Sequence, residues 1–208
     1  MAKTWRRRSR YTAKKFRPYT QAIGEFALAW NDFHEALGDL FIHAVGGEAP
    51  RAGASMQLTG IWGVITSDRQ KRDILEAAIN RIGRKRHEAA PKIAAEVIWL
   101  IERGASLEDR RNNVIHSPLS EVINAFAAMF QGIKLGEVMP GVRHHNVRAQ
   151  KLSASLKKGG RKLLQEIRFY RDHATALAVY ARALDKAWET RRRAWPERPE
   201  LPRLKDRG

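Results

Sequence analysis

The 208-residue sequence contains no cysteine. That absence excludes disulfide cross-links, thiolate catalysis and cysteine-ligated zinc, and it fits a cytoplasmic chain. No apolar run is long enough to cross a bilayer, so no transmembrane segment is expected. The first eight residues carry cations but lead into no apolar stretch, unlike a secretory signal. A Gly-rich phosphate loop, a Ser/His/Asp arrangement and a paired-carboxylate pattern are all missing. His34-Glu35 opens like the zinc motif His-Glu-x-x-His, but Gly38 stands where the second ligand would be. No metal or other cofactor is expected.

Negative charge is also scarce. Asp and Glu number 22 against 39 Lys and Arg, which leaves a net charge of +17. A cation excess of this size favours polyanion partners: nucleic acid first, an anionic membrane second. A merely solubilising surface would spread the excess, whereas here it is clustered. The clusters supply the candidate nucleic-acid contacts. They are Arg6, Arg7, Arg8, Arg10, Lys14 and Lys15; then Arg84, Lys85 and Arg86; then Lys157, Lys158 and Arg161. RNA is the expected partner, and DNA is the alternative that charge alone does not separate.

Apolar residues make up 43% of the chain, enough for a core. Residues 1–18 read as a flexible basic arm, ordered on binding. Ile23, Phe26, Ala27, Trp30, Phe33, Leu37, Leu40 and Phe41 then recur at steps of three and four, which predicts a helix from Thr20 to Val45. Gly46-Gly47 should end it. Residues 48–66 read as loop around a short apolar piece.

Ser67-x-x-Gln70 has the spacing of a capping box, and a helix to Ile82 should follow, burying Ile74, Leu75, Ala78 and Ile79. A third helix is expected over 91–103, interrupted at Gly104. Ser106-Leu107-Glu108-Asp109 then offers a new cap for a short helix ending near Ser117-Pro118. Within an insertion at 119–158, residues 122–130 and 133–139 could pair as a hairpin around Gln131-Gly132. Leu163, Ile167, Tyr170, Ala174, Leu177, Ala181, Leu184 and Trp188 alternate by four and three, which marks a last helix as core or dimer seam. Trp30, Trp62, Trp99 and Trp188 are expected in the core. The reading is all-α: a four- or five-helix bundle over 19–194, with a basic N-terminal arm, a small β-hairpin insertion and an extended Pro-rich tail at 195–208.

The segment most suited to chemistry is Arg111-Asn112-Asn113-Val114-Ile115-His116. Metal-independent RNA cleavage needs a group that moves the 2′-hydroxyl proton and a cation that holds the phosphate. Histidine changes charge near neutral pH, and the planar guanidinium fork matches phosphate oxygens. Asparagine can orient either. Spacing alone does not select this pair, because about three of the seven histidines should have an arginine at such a distance by chance. Asn112, the expected cap and the helical context do. On an ideal helix Arg111 and His116 lie about 140° apart, while Asp109, Asn112 and His116 share a face.

This segment resembles the Arg-polar-x-x-x-His signature of the HEPN superfamily of helical bundles. The resemblance implies a homodimer in which two motifs meet to form a metal-independent RNA-cleaving site. It gives Arg111 the phosphate, makes Asn112 its polar neighbour and makes His116 the acid/base. It also implies a toxin or defence role, with an antitoxin or neighbouring subunit as a further partner. Two other readings compete: a non-catalytic nucleic-acid-binding module, and a helical assembly scaffold.

Overall fold

The computed structural model describes residues 2–47, 52–83, 90–116, 119–122, 139–142, 160–190 and 195–202, with side chains for 17–47, 53–83, 91–112, 114, 164–190 and 195–202. Among these residues the fold is all-α, with one short strand pair. The elements are α1 (Ala2–Gly46), α2 (Ala52–Val64), α3 (Asp68–Gly83), α4 (Ala90–His116), β1 (Leu119–Val122), β2 (Met139–Val142) and α5 (Gly160–Glu189). The chain groups into two compact units. One comprises Met1–Ala27, Arg110–Arg171 and Leu204–Gly208; the other comprises Leu28–Asp109 and Asp172–Arg203. No helix among the described residues is long and apolar enough to cross a membrane.

The larger unit is built on the stripes expected from the sequence. Trp30, Phe33, Leu37 and Leu40 of α1 are buried, with Leu75 and Ile79 of α3, Val97 and Leu100 of α4, and Leu177 and Leu184 of α5. Ile74 departs from expectation and stays 38% exposed. Trp30 and Trp62 are buried, but Trp99 and Trp188 are only half-buried, each beside cations or a histidine. Gly47 ends α1 with φ 81°, and its N–H donates to the His43 carbonyl at 3.0 Å. Ser67 caps α3: its hydroxyl accepts from the Gln70 N–H at 3.3 Å and its carbonyl from the Lys71 N–H at 3.0 Å.

Three local expectations are corrected. First, α1 is helical from Ala2, so the backbone of the basic segment belongs to the same helix as the stripe. Second, residues 52–64 form a helix rather than a loop. It left no periodic signal because Trp62 is its one buried side chain among those described.

Third, α4 runs unbroken through Gly104 to His116. Gly104 is there for packing: a Cβ at that position would lie 2.7 Å from Phe33 Cε1. Ser106 is correspondingly no cap; its hydroxyl bonds back to the Arg103 carbonyl at 2.7 Å, inside the helix.

Polar contacts also join the helices of this unit. Trp30 Nε1 donates to Asp68 Oδ2 at 2.9 Å, tying α1 to the first residue of α3. Arg72, only 3% exposed, donates to Glu108 Oε2 at 2.5 Å and joins α3 to α4. Arg182 of α5 forms a two-bond pair with Asp32 of α1. His43 Nδ1 and Asp185 Oδ1 lie 2.5 Å apart across the same two helices. Residues 195–202 are not a loose tail. Arg198 bonds Glu96 Oε2 at 2.7 Å and lies 5.1 Å from the Trp99 ring centroid.

In the insertion, β1 and β2 pair antiparallel with Leu119 opposite Val142 and Val122 opposite Met139. The paired strands thus flank the segments expected to pair; residues 123–138, including Gln131-Gly132, lie outside the described residues. Pro140 is tolerated because a two-stranded ladder consists only of edges.

Candidate functional site

Arg111 and Asn112 sit half-buried near the end of α4, in the smaller unit. Their side chains are joined: Arg111 Nη1 donates to Asn112 Oδ1 at 2.9 Å. Arg111 Nε is buried with no hydrogen-bond partner among the described residues. A buried donor without a partner costs about 1–3 kcal/mol. His116 is the last residue of α4, and its side chain lies outside the described ones. Because the helix continues to His116, the ideal separation of about 140° applies to the backbone positions, with an axial offset of about 7.5 Å. Arg111 and Asn112 are thus brought together, while Arg111 and His116 do not share a helix face. The cap expected to present the pair is absent, and a continuous helix presents it instead.

The smaller unit also holds contacts that the sequence did not indicate. The Arg110 guanidinium lies 6.0 Å from the Tyr170 ring centroid. Tyr170 is buried against Phe26 and Phe169, with ring centroids at 6.1 and 5.4 Å. Its hydroxyl donates to Glu166 Oε1 at 2.7 Å. Burial, and then the Glu166 carboxylate, push the Tyr170 hydroxyl far above the ordinary phenol range, so it is a fixed donor and no proton shuttle. Arg171 Nη1 donates to Glu25 Oε2 at 2.5 Å, and Gln21 donates to Glu25 Oε1 at 2.9 Å. Those two bonds lower the Glu25 pKa, with the Gln21 bond the larger cause. Glu166 and Tyr170 stand four residues apart on α5, which in the sequence reads only as seam.

The basic candidates are placed less fully. Arg6, Arg7, Arg8, Arg10, Lys14 and Lys15 lie on the helical backbone of α1, and Arg161 lies on the first turn of α5. Arg84, Lys85, Arg86, Lys157 and Lys158 lie outside the described residues, as do His87, His144 and His145.

The remaining candidates have structural roles. His34 is buried between Trp30 and Phe33, with ring centroids at 4.9 and 5.6 Å, and Asp68 is 3.9 Å away. Among the described residues no group of three or more His, Asp or Glu could hold a metal ion. His173 is half-buried on α5; burial and then the Arg103 charge push its pKa down.

Comparison with known protein families, with curated proteins and with solved structures finds no match for this chain.

Proposed function

We propose that this chain is a metal-independent endoribonuclease of the HEPN type, with Arg111 on the scissile phosphate and His116 moving the 2′-hydroxyl proton. The observation that carries the reading is the Arg111–Asn112 hydrogen bond at the end of α4. A guanidinium held on one side by an amide keeps its fork set for a phosphate, and this reduces the ordering cost on binding. In the reaction the 2′-oxygen bonds to phosphorus, the bond to the 5′-oxygen breaks, and the leaving oxygen takes up a proton. The product strand ends in a 2′,3′-cyclic phosphate. A homodimer would bring two such motifs to one site, and a toxin-type role with an inhibitory partner extends the same reading.

The test is incubation of the purified chain with single-stranded RNA in EDTA. Wild type should cut, His116→Ala and Arg111→Ala should each lose at least about 100-fold in rate, and Asn112→Ala should lose less. No cleavage by wild type, or unchanged cleavage by His116→Ala, would overturn the proposal. The net charge of +17 favours one other reading, a non-catalytic nucleic-acid-binding module. RNA retained but uncut by wild type would select it.

A further inference from the structure

Residues 195–202 form neither helix nor strand, and among the described residues no backbone hydrogen bond ties them to the helices. Side chains hold them instead. Proline recurs at every third position, at Pro196, Pro199 and Pro202. An extended polyproline chain turns once in three residues, so these three fall on one side of it. Burial agrees: all three prolines are half-buried, whereas Glu197 and Glu200 are exposed. The surface they meet is built by α4 and α5. Trp99 meets Tyr180 edge-on, with ring centroids 5.6 Å apart. The Tyr180 hydroxyl donates to Glu96 Oε2 at 2.8 Å, and Arg198 Nε donates to the same oxygen at 2.7 Å. The Arg198 guanidinium also lies over the Trp99 ring, 5.1 Å from its centroid. The Glu96 side chain is 16% exposed and that of Arg198 is 47% exposed, so the carboxylate belongs to the floor and the guanidinium is laid on it from outside. Two aromatic rings, a sunken carboxylate and a proline-framed arginine are the parts of an extended-peptide recognition site.

We propose that Glu96, Trp99 and Tyr180 form a recognition site for a proline-framed arginine, that residues 195–202 occupy it as a tethered ligand, and that a partner protein's extended segment of the same chemistry displaces them. Charge selects the class of ligand. In a chain of +17 this surface offers a carboxylate, which attracts a guanidinium and repels a phosphate. Burial alone would raise the Glu96 pKa, but the bonds from Arg198 and Tyr180 more than offset it and keep the carboxylate ionised. Arginine fits better than lysine, because its planar fork both pairs with a carboxylate and stacks on an indole. Displacement is possible because the grip is shallow. An ion pair on a half-exposed arginine holds weakly, and no backbone ladder has to break. This assignment is independent of the RNA-cleavage reading.

Fluorescence anisotropy of a dye-labelled peptide of residues 195–202, with capped ends and added to the full chain, tests it. The wild-type chain holds its own ligand at an effective concentration of about millimolar, so it should bind the added peptide poorly. Arg198→Ala loosens the tethered ligand and leaves the site intact, so it should bind the peptide at least about tenfold more tightly. Adding Glu96→Gln to Arg198→Ala should cancel that gain, with circular dichroism unchanged. The same peptide with alanine in place of its arginine should bind the Arg198→Ala chain at least about tenfold more weakly, whatever Glu96→Gln does to folding. That change makes the peptide more acidic, so a general attraction to a +17 body would strengthen it instead. No binding by the Arg198→Ala chain, binding equal to that of wild type, or binding undiminished by loss of the peptide's arginine would each overturn the proposal. So would an Arg198→Ala chain that gains affinity for single-stranded RNA and none for the peptide. None of the peptide measurements involves RNA cleavage, so failure of the nuclease assay and failure of this site are separate results.

Discussion

His43 illustrates how one side chain can set a pH response. The hydrogen bond to Asp185 raises its pKa above the ordinary imidazole value of 6.5, burial works against this, and the Asp185 charge adds to it. Glu189 and Asp39 face the same imidazole and favour its cation. A group whose folded pKa is raised contributes stability that is complete below its unfolded pKa and is lost as pH rises through the folded one. The contact should therefore stabilise the protein by about 1 kcal/mol near pH 6 and fade toward pH 9. Denaturant unfolding of wild type and Asp185→Asn at both pH values checks this. A stability gap that stayed constant with pH would refute it. Neither this pairing nor the burial of Arg72 could be read from the sequence. Spacing names the residues that share a helix face, but not the helix that will lie against that face. The same limit hid Tyr170 and Arg110, whose contact joins two helices far apart in the chain.

Among the helices, legibility followed the amount each one buries. α1 and α5 hide long continuous rows, so their three-and-four spacing was visible and most of their core was named in advance, although Ile23, Ala27 and Trp188 are only half-buried. α2 hides a single tryptophan, and a helix held by one anchor has no period to detect. Gly104 misled for a different reason. Glycine reads locally as a break, yet its role here is set by the fully buried Phe33, whose ring edge lies where a Cβ would have to go. Gly104→Ala brings two opposed effects. Better helix propensity contributes about 1 kcal/mol, and overpacking against Phe33 costs about 1–3 kcal/mol. The expected outcome is a net loss with a thermal midpoint lower by about 3 °C, measured by circular dichroism. A midpoint that rose would mean that Phe33 can yield. The reading of the candidate segment changed in the same way: the cap invoked to present Arg111 and Asn112 dissolved into a continuous helix.

For the molecule as a whole, the helical spacing of several segments indicated the all-α class, because it rests on many residues rather than on any one contact. The division into two units did not emerge, since α1, α4 and α5 each supply residues to both and leave no linker between them. The tyrosines give the fold an optical consequence. Of the four in the chain, Tyr19, Tyr170 and Tyr180 all have raised pKa values, the first through burial and the other two through burial followed by a hydrogen bond to a carboxylate. Their phenolate absorbance should stay largely silent through the range where free tyrosine titrates near pH 10. It should then appear in one step together with the loss of helical dichroism, so that ultraviolet absorbance alone records alkaline unfolding. A smooth titration of three tyrosines ahead of that loss would show that these hydroxyls are open to solvent. The Tyr180 hydroxyl donates at 2.8 Å to Glu96 Oε2, the oxygen that Arg198 clasps, so the clasp described earlier would make the protein a spectroscopic reporter of its own collapse.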